Sequence, residues 1–142
     1  MDKSAGIIII INNKKVLLAH PTNSRWTNTY SFPKGGIEEG ESQIDAAIRE
    51  LKEETSIEVS IDKIEDKKPI VVQYNDKNGK IYKEVYLFKV YINDISEIGL
   101  SDETLPKEML QIEELDWCGF LTKEEAKDKI FYRVADLLNL ID

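Results

Sequence analysis

Apolar residues recur along this chain with two periods, and the changes of period mark its elements. The β-branched run at 6–11 and the apolar segment at 15–19 flank Asn12, Asn13 and Lys14, which predicts two strands joined by a tight turn. Residues 21–29 are polar and turn-rich and read as a loop, and 30–32 as a short strand. Pro33, Lys34, Gly35 and Gly36 should break that strand, because proline and paired glycines suit turns. The period then changes. Ile44, Ala47, Ile48 and Leu51 recur at helical spacing behind Ser42, which has Asp45 three residues on. This variant of the capping box predicts a helix from Ser42 to about Thr55 with one buried stripe. Strands are expected at 57–64, 69–75 and 81–92, the last two forming a hairpin through Asp76, Lys77, Asn78 and Gly79. Residues 95–109 read as a loop and 115–120 as a strand. Thr122 should cap a helix starting near Lys123, and 131–140 carries a last amphipathic helix. The fold class is therefore α+β, a sheet covered by helices.

At 142 residues, 42% of them hydrophobic, the chain can bury one core, so residues 1–142 are expected to form one domain. No apolar run is long enough for a membrane span, and the first six residues lack the layout of a signal peptide. The single cysteine, Cys118, leaves no internal disulfide and no cysteine cluster for a metal, which points to a reducing cytoplasm. A net charge of −8 argues against a broad basic surface for nucleic acid. It leaves room for divalent cations that bridge an acidic protein to phosphates.

The acidic residues of the predicted helix give that idea a place. Glu50, Glu53 and Glu54 fall together on the helical wheel, on a face expected to point away from the Ile44, Ala47, Ile48 and Leu51 stripe. Glu50 and Glu54 form an i,i+4 pair of like charge, unfavourable by roughly 0.2–0.5 kcal/mol in an isolated helix. Clustered carboxylates are oxygen ligands of the kind Mg2+ takes. The plain alternative is a solvated helix face. Against it stands the preceding loop, where Lys34, Gly35 and Gly36 could bring backbone groups close to a metal or phosphate.

Gly35, Glu41, Arg49, Glu50, Leu51, Glu53, Glu54 and Ile57 match in register the gapped pattern of the Nudix box, and the chain resembles the MutT-like Nudix hydrolases. Ser56 departs from the pattern, standing where the family has its second glycine. The resemblance continues through Ser4, Ala5 and Gly6, the lead-in from Ser31 to Gly36, and the residues from Trp117 to Leu121. It implies an α/β/α sandwich around a mixed sheet and Mg2+-dependent hydrolysis of a diphosphate linkage, with Mn2+ as an alternative metal. By the same resemblance Glu50, Glu53 and Glu54 would bind metal together with the Gly35 carbonyl. Arg49 would orient these carboxylates, and Glu41 would brace the loop against Arg49. Lys34 would meet a phosphate or remain a solvated loop lysine. The general base is open between Glu53 or Glu54 and the later Glu103, Glu108, Glu113 and Glu114.

The substrate implied is a small nucleotide, with a dinucleoside polyphosphate such as diadenosine tetraphosphate preferred. Tyr74 falls 17 positions after Ile57, close to a tyrosine of the diadenosine polyphosphate hydrolases, and its ring could stack on adenine. Strand tyrosines are common, and Tyr82, Tyr86 and Tyr91 are neighbours. ADP-ribose or a nucleotide sugar, a nucleoside triphosphate, 5′-triphosphate RNA and an inositol pyrophosphate are the other substrates to weigh. Two further readings are a nucleotide-binding module without turnover and an acidic face for a basic partner. A homodimer is left open. His20 reads as a solvated loop residue, Trp26 as a residue that could stack on a base, Trp117 as core and Cys118 as a small buried hydrophobe.

Overall fold

The computed structural model describes residues 1–142. Strands β1 (Asp2–Ile11) and β2 (Lys15–Pro21) form the expected hairpin. Asn12 and Asn13 both adopt left-handed backbone at its turn, and the Lys14 N–H donates to the Ile11 carbonyl. Two consecutive left-handed residues match the twist of paired strands, and asparagine tolerates them better than most side chains.

The sheet then grows on both sides of β1. Strand β5 (Ile81–Ile92) lies parallel to β1, and β4 (Ile70–Asn75) pairs antiparallel with β5. Strand β6 (Leu115–Thr122) pairs antiparallel with β2. The order is β4-β5-β1-β2-β6, with β3 (Lys34–Gly36) pairing with the start of β1 beside this path. Helix α1 (Gln43–Thr55) packs on one face. Helix α2 (Lys123–Ala126) and a 3₁₀ segment (Tyr132–Leu140) lie on the other. Ile7 and Ile9 of β1 enter the core beneath α1, and Ile8 and Ile10 enter the opposite one. The unbroken isoleucine run is thus a strand buried on both faces of a three-layer sandwich.

Several local expectations change. Residues 34–36 are a strand rather than a break, because Gly6 allows the chains to approach. A Cβ at Gly6 would run into the Pro33 carbonyl and the Lys34 side chain. Residues 30–32 make only isolated bridges, Ala19 to Ser31 and Tyr30 to Ile130. Residues 57–64 form no strand: Ile57 and Val59 point inward as alternation suggests, but only Ile64 finds a sheet partner, Val90. Two short 3₁₀ turns (Ile95–Ile98 and Lys107–Met109) interrupt the loop at 95–109. The last helix winds as 3₁₀ rather than α, with no side chain capping it at Phe131. The Thr122 cap forms as a full capping box with Glu125. No helix is long and apolar enough to cross a membrane.

Candidate active site

Helix α1 is fixed at both ends by local chemistry. Ser42 Oγ accepts the Asp45 N–H at 3.0 Å, and Ser56 closes the helix in left-handed geometry at φ 67°. Serine is strained there by roughly 1 kcal/mol relative to glycine. Its hydroxyl supplies something glycine lacks, donating to the Met109 carbonyl at 2.7 Å. The Gln111 N–H donates to the Glu54 carbonyl at 2.9 Å, so the helix end holds the 109–111 segment at two points.

Arg49 lies between this helix and the loop before it. Its Nε and Nη2 donate to the two oxygens of Glu41 at 2.7 and 2.9 Å, a bidentate pair whose geometry suits guanidinium. Nη2 also donates to the Gly36 carbonyl at 2.9 Å, while Nη1 donates to Glu50 at 3.0 Å and to both oxygens of Glu53 at 3.2 Å. The guanidinium, reinforced by the Glu38 N–H, holds the Glu41 carboxyl down at about 2. Glu41 in turn leads the effects that hold Arg49 above its ordinary range.

Glu54 does not share the solvent face expected for the three carboxylates. It is buried with Leu51 and Thr55, because three residues on from Leu51 returns to the buried side of the helix. Burial, and after it the charge of Glu50, pushes its carboxyl up to about 8, against the pull of Lys34. Burial also lowers Lys34 to about 8, helped by Lys83. Glu50 is seated against Gly35, where a Cβ would overlap its carboxylate. That contact gives the box glycine a steric reason.

Lys34 and Glu54 open onto a cavity of about 140 Å3 with Ala19, Pro21, Ser31, Phe32, Glu114 and Leu115. Among the later carboxylates only Glu114 reaches it. Glu103 is paired with Lys15 at 2.6 Å, near the other end of β2, and Glu108 and Glu113 are exposed. Thr22 secures Glu114 from the β2 side: its N–H donates to the Glu114 carbonyl at 3.0 Å and its hydroxyl to the Ile112 carbonyl at 2.5 Å.

The oxygen-only donors Glu50, Glu53, Glu54 and the Gly35 carbonyl suit a hard divalent cation in chemistry, and the crowding of half-buried Glu50 on buried Glu54 favours one. No three acidic, histidine or cysteine side chains are gathered as a finished cage, and Glu53 is engaged by Arg49.

Other expected residues settle as follows. Tyr74 is buried, its ring packed on Phe131 and Tyr82 with Lys83 and Arg133 over it, which leaves little surface for a base. His20 is not a loop residue: it lies in β2, half-buried, with Nδ1 2.6 Å from Asp116. Trp26 is 83% exposed. Trp117 is half-buried against Tyr30, and Cys118 is fully buried with its thiol pushed up. Reading the sequence missed Thr22, which no motif marks, and gave Ser31 no role of its own, although its place as the first residue of the lead-in was the available signal.

The NUDIX domain family model matches residues 2–134. The chain belongs to the Nudix family. It is 37% identical over 97 residues to the m7GpppN-mRNA hydrolase of Saccharomyces cerevisiae, a match covering 64% of this chain and 10% of that protein. It is 31% identical over 81 residues to the RNA pyrophosphohydrolase of Erythrobacter litoralis, covering 55% of this chain and 49% of the relative. The chain thus spans about a tenth and about half of these relatives. Among solved structures it resembles the Caenorhabditis elegans Ap4A hydrolase at 25% identity and TM-score 0.65, over 99% of this chain and 95% of that one. The three-layer architecture described above is the Nudix sandwich.

Proposed function

We propose that this Nudix chain is a divalent-metal-dependent hydrolase, served by Mg2+ with Mn2+ as the alternative, that cuts a diphosphate linkage in a nucleotide. The observation that carries this reading is the meeting of Lys34 and Glu54 on one cavity, beside a Glu50 seated on Gly35. Glu50, Glu53, Glu54 and the Gly35 carbonyl would hold the metal, which when bound would neutralise the diphosphate and acidify an attacking water. Lys34 would take a phosphate oxygen. Arg49 and Glu41 would keep the carboxylates and the glycine loop in register. Glu54 or Glu114 would accept the proton as water adds to one phosphorus and the bond to the bridging oxygen breaks. The departing phosphate keeps the bonding pair. Dinucleoside polyphosphate, with diadenosine tetraphosphate as the reference compound, is the preferred substrate, supported by the likeness over nearly the whole chain to the Ap4A hydrolase structure. RNA bearing a 5′-triphosphate is the second reading, supported by the named activity of the Erythrobacter relative.

The test is cleavage across diadenosine tetraphosphate, 5′-triphosphate RNA, ADP-ribose, a nucleoside triphosphate and an inositol pyrophosphate, with Mg2+ and with chelator. Wild type should turn over the first most rapidly and Glu53→Gln and Glu54→Gln should fall by about 100-fold or more. Glu114→Gln then separates the two candidate bases. Folded, metal-loaded wild type that binds but cleaves none of the five would make the chain a binding module.

A further inference from the structure

Two hydroxyls in this protein are buried with no hydrogen-bond partner, Thr29 Oγ1 and Ser31 Oγ. A buried unpaired hydroxyl is unfavourable, and such orphans call for a reason. The backbone of Ser31 is fully used, its N–H donating to the Ala19 carbonyl at 3.0 Å and its carbonyl accepting the Ala19 N–H at 2.8 Å. These bonds hold the residue in place while its side chain is unmet. The two orphans differ in surroundings. Ser31 lines the cavity shared with Lys34, Glu54 and Glu114, and Thr29 does not.

The size and lining of the cavity restrict what can satisfy the hydroxyl. About 140 Å3 is well below the roughly 300 Å3 at which pockets begin to enclose whole small molecules. One phosphoryl group fits, and a nucleoside does not. The cationic side chain on the wall is Lys34, and the apolar walls of Phe32, Ala19 and Leu115 offer no donors of their own. A phosphoryl oxygen entering beside Lys34 would find the Ser31 hydroxyl as a donor, with the carboxyl groups of Glu54 and Glu114 on the same lining.

We propose that Ser31 is a substrate-binding residue whose hydroxyl donates to a phosphate oxygen seated beside Lys34. The inference rests on the hydrolase reading for the identity of the ligand as a diphosphate. It adds that the cavity admits the phosphoryl part of the substrate and leaves the nucleoside outside.

The experiment compares wild type, Ser31→Ala and Thr29→Ala by thermal unfolding, by calorimetric binding of inorganic pyrophosphate with Mg2+, and by turnover of the best substrate in the panel. Both alanine variants should unfold no earlier than wild type, with Ser31→Ala higher by about 3 °C, because an unmet hydroxyl is removed. Pyrophosphate affinity should fall about tenfold in Ser31→Ala, as expected for a lost hydrogen bond to a charged group, and stay at the wild-type value in Thr29→Ala. The fall in kcat/KM should match. Weaker pyrophosphate binding by Ser31→Ala in a protein that hydrolyses nothing would uphold Ser31 and overturn the hydrolase reading. Active wild type with unchanged affinity and kinetics in Ser31→Ala would overturn Ser31 alone. A drop in unfolding temperature in Ser31→Ala would assign the hydroxyl to the fold and likewise overturn it.

Discussion

The Arg49 junction and the Ser31 cavity meet the Lys34–Gly36 strand at Gly36 and at Lys34 respectively and treat their polar groups in opposite ways. Around Arg49 all three guanidinium nitrogens donate, to Glu41, Glu50, Glu53 and the Gly36 carbonyl. In the cavity Ser31 Oγ has no partner, and burial works against the charges of both Glu54 and Lys34. A saturated network fixes geometry. An unsaturated one holds binding potential that a ligand can realise, and the first is what keeps the second in shape.

Removing the brace should have the largest effect. Arg49→Ala leaves three carboxylates facing one another, and should lower activity about 100-fold and stability by about 2–3 kcal/mol, read by urea unfolding. Arg49→Lys should recover only part of either, since an ammonium cannot match the bidentate contact with Glu41. Full recovery by lysine would mean that charge alone holds the junction.

The next effect belongs to the cavity and appears in metal-free protein. Glu54 binds its proton more tightly when folded, at about 8 against an ordinary 4.5, so its contribution to stability is complete below about pH 4.5 and is lost as pH rises through about 8. Urea unfolding with chelator should show a loss of the order of 2 kcal/mol across that window, flattened in Glu54→Gln. Added Mg2+ should oppose the loss, because cation binding favours the ionised form. A pH-independent wild type would remove the contrast between the two regions.

Ser56 gives the smallest effect and separates strain from tethering. Ser56→Gly relieves the left-handed strain and loses the bond to Met109, two terms of about 1 kcal/mol each, so its stability should stay near wild type. Ser56→Ala keeps the strain and loses the bond, and should unfold about 1 kcal/mol more easily. Equal stability for the two variants would show that backbone conformation at this position carries no strain.

Much of the fold was legible because burial leaves a periodic trace. The β1–β2 turn, the α1 boundaries and the Thr122 cap follow from local residue chemistry, and their positions agree with the structure. The failures have local causes too. The alternation at Ile57 and Val59 reports burial without reporting a partner strand, and Pro33–Gly36 has turn composition while Gly6 on another strand supplies the space for β3. Within the candidate site, the acidic residues and Arg49 were visible as a spaced motif. The depth of Glu54, the isolation of Glu103 beside Lys15 and the cover over Tyr74 were not, since each depends on residues far away in the chain.

The sequence by itself determined the helix with its spaced acidic residues, the hairpin of β1 and β2 and the motif that joins loop to helix, because these rest on periodicity and on residues near one another in the chain. Only the tertiary structure decided which carboxylates share a cavity with Lys34, why Ser56 is accepted in place of glycine, and that Ser31 is left without a partner. Those features arise where α1, β2 and the segment before β6 converge, and hydrogen bonds such as Ser56 to Met109 and Thr22 to Ile112 close loops too long for any local pattern to register.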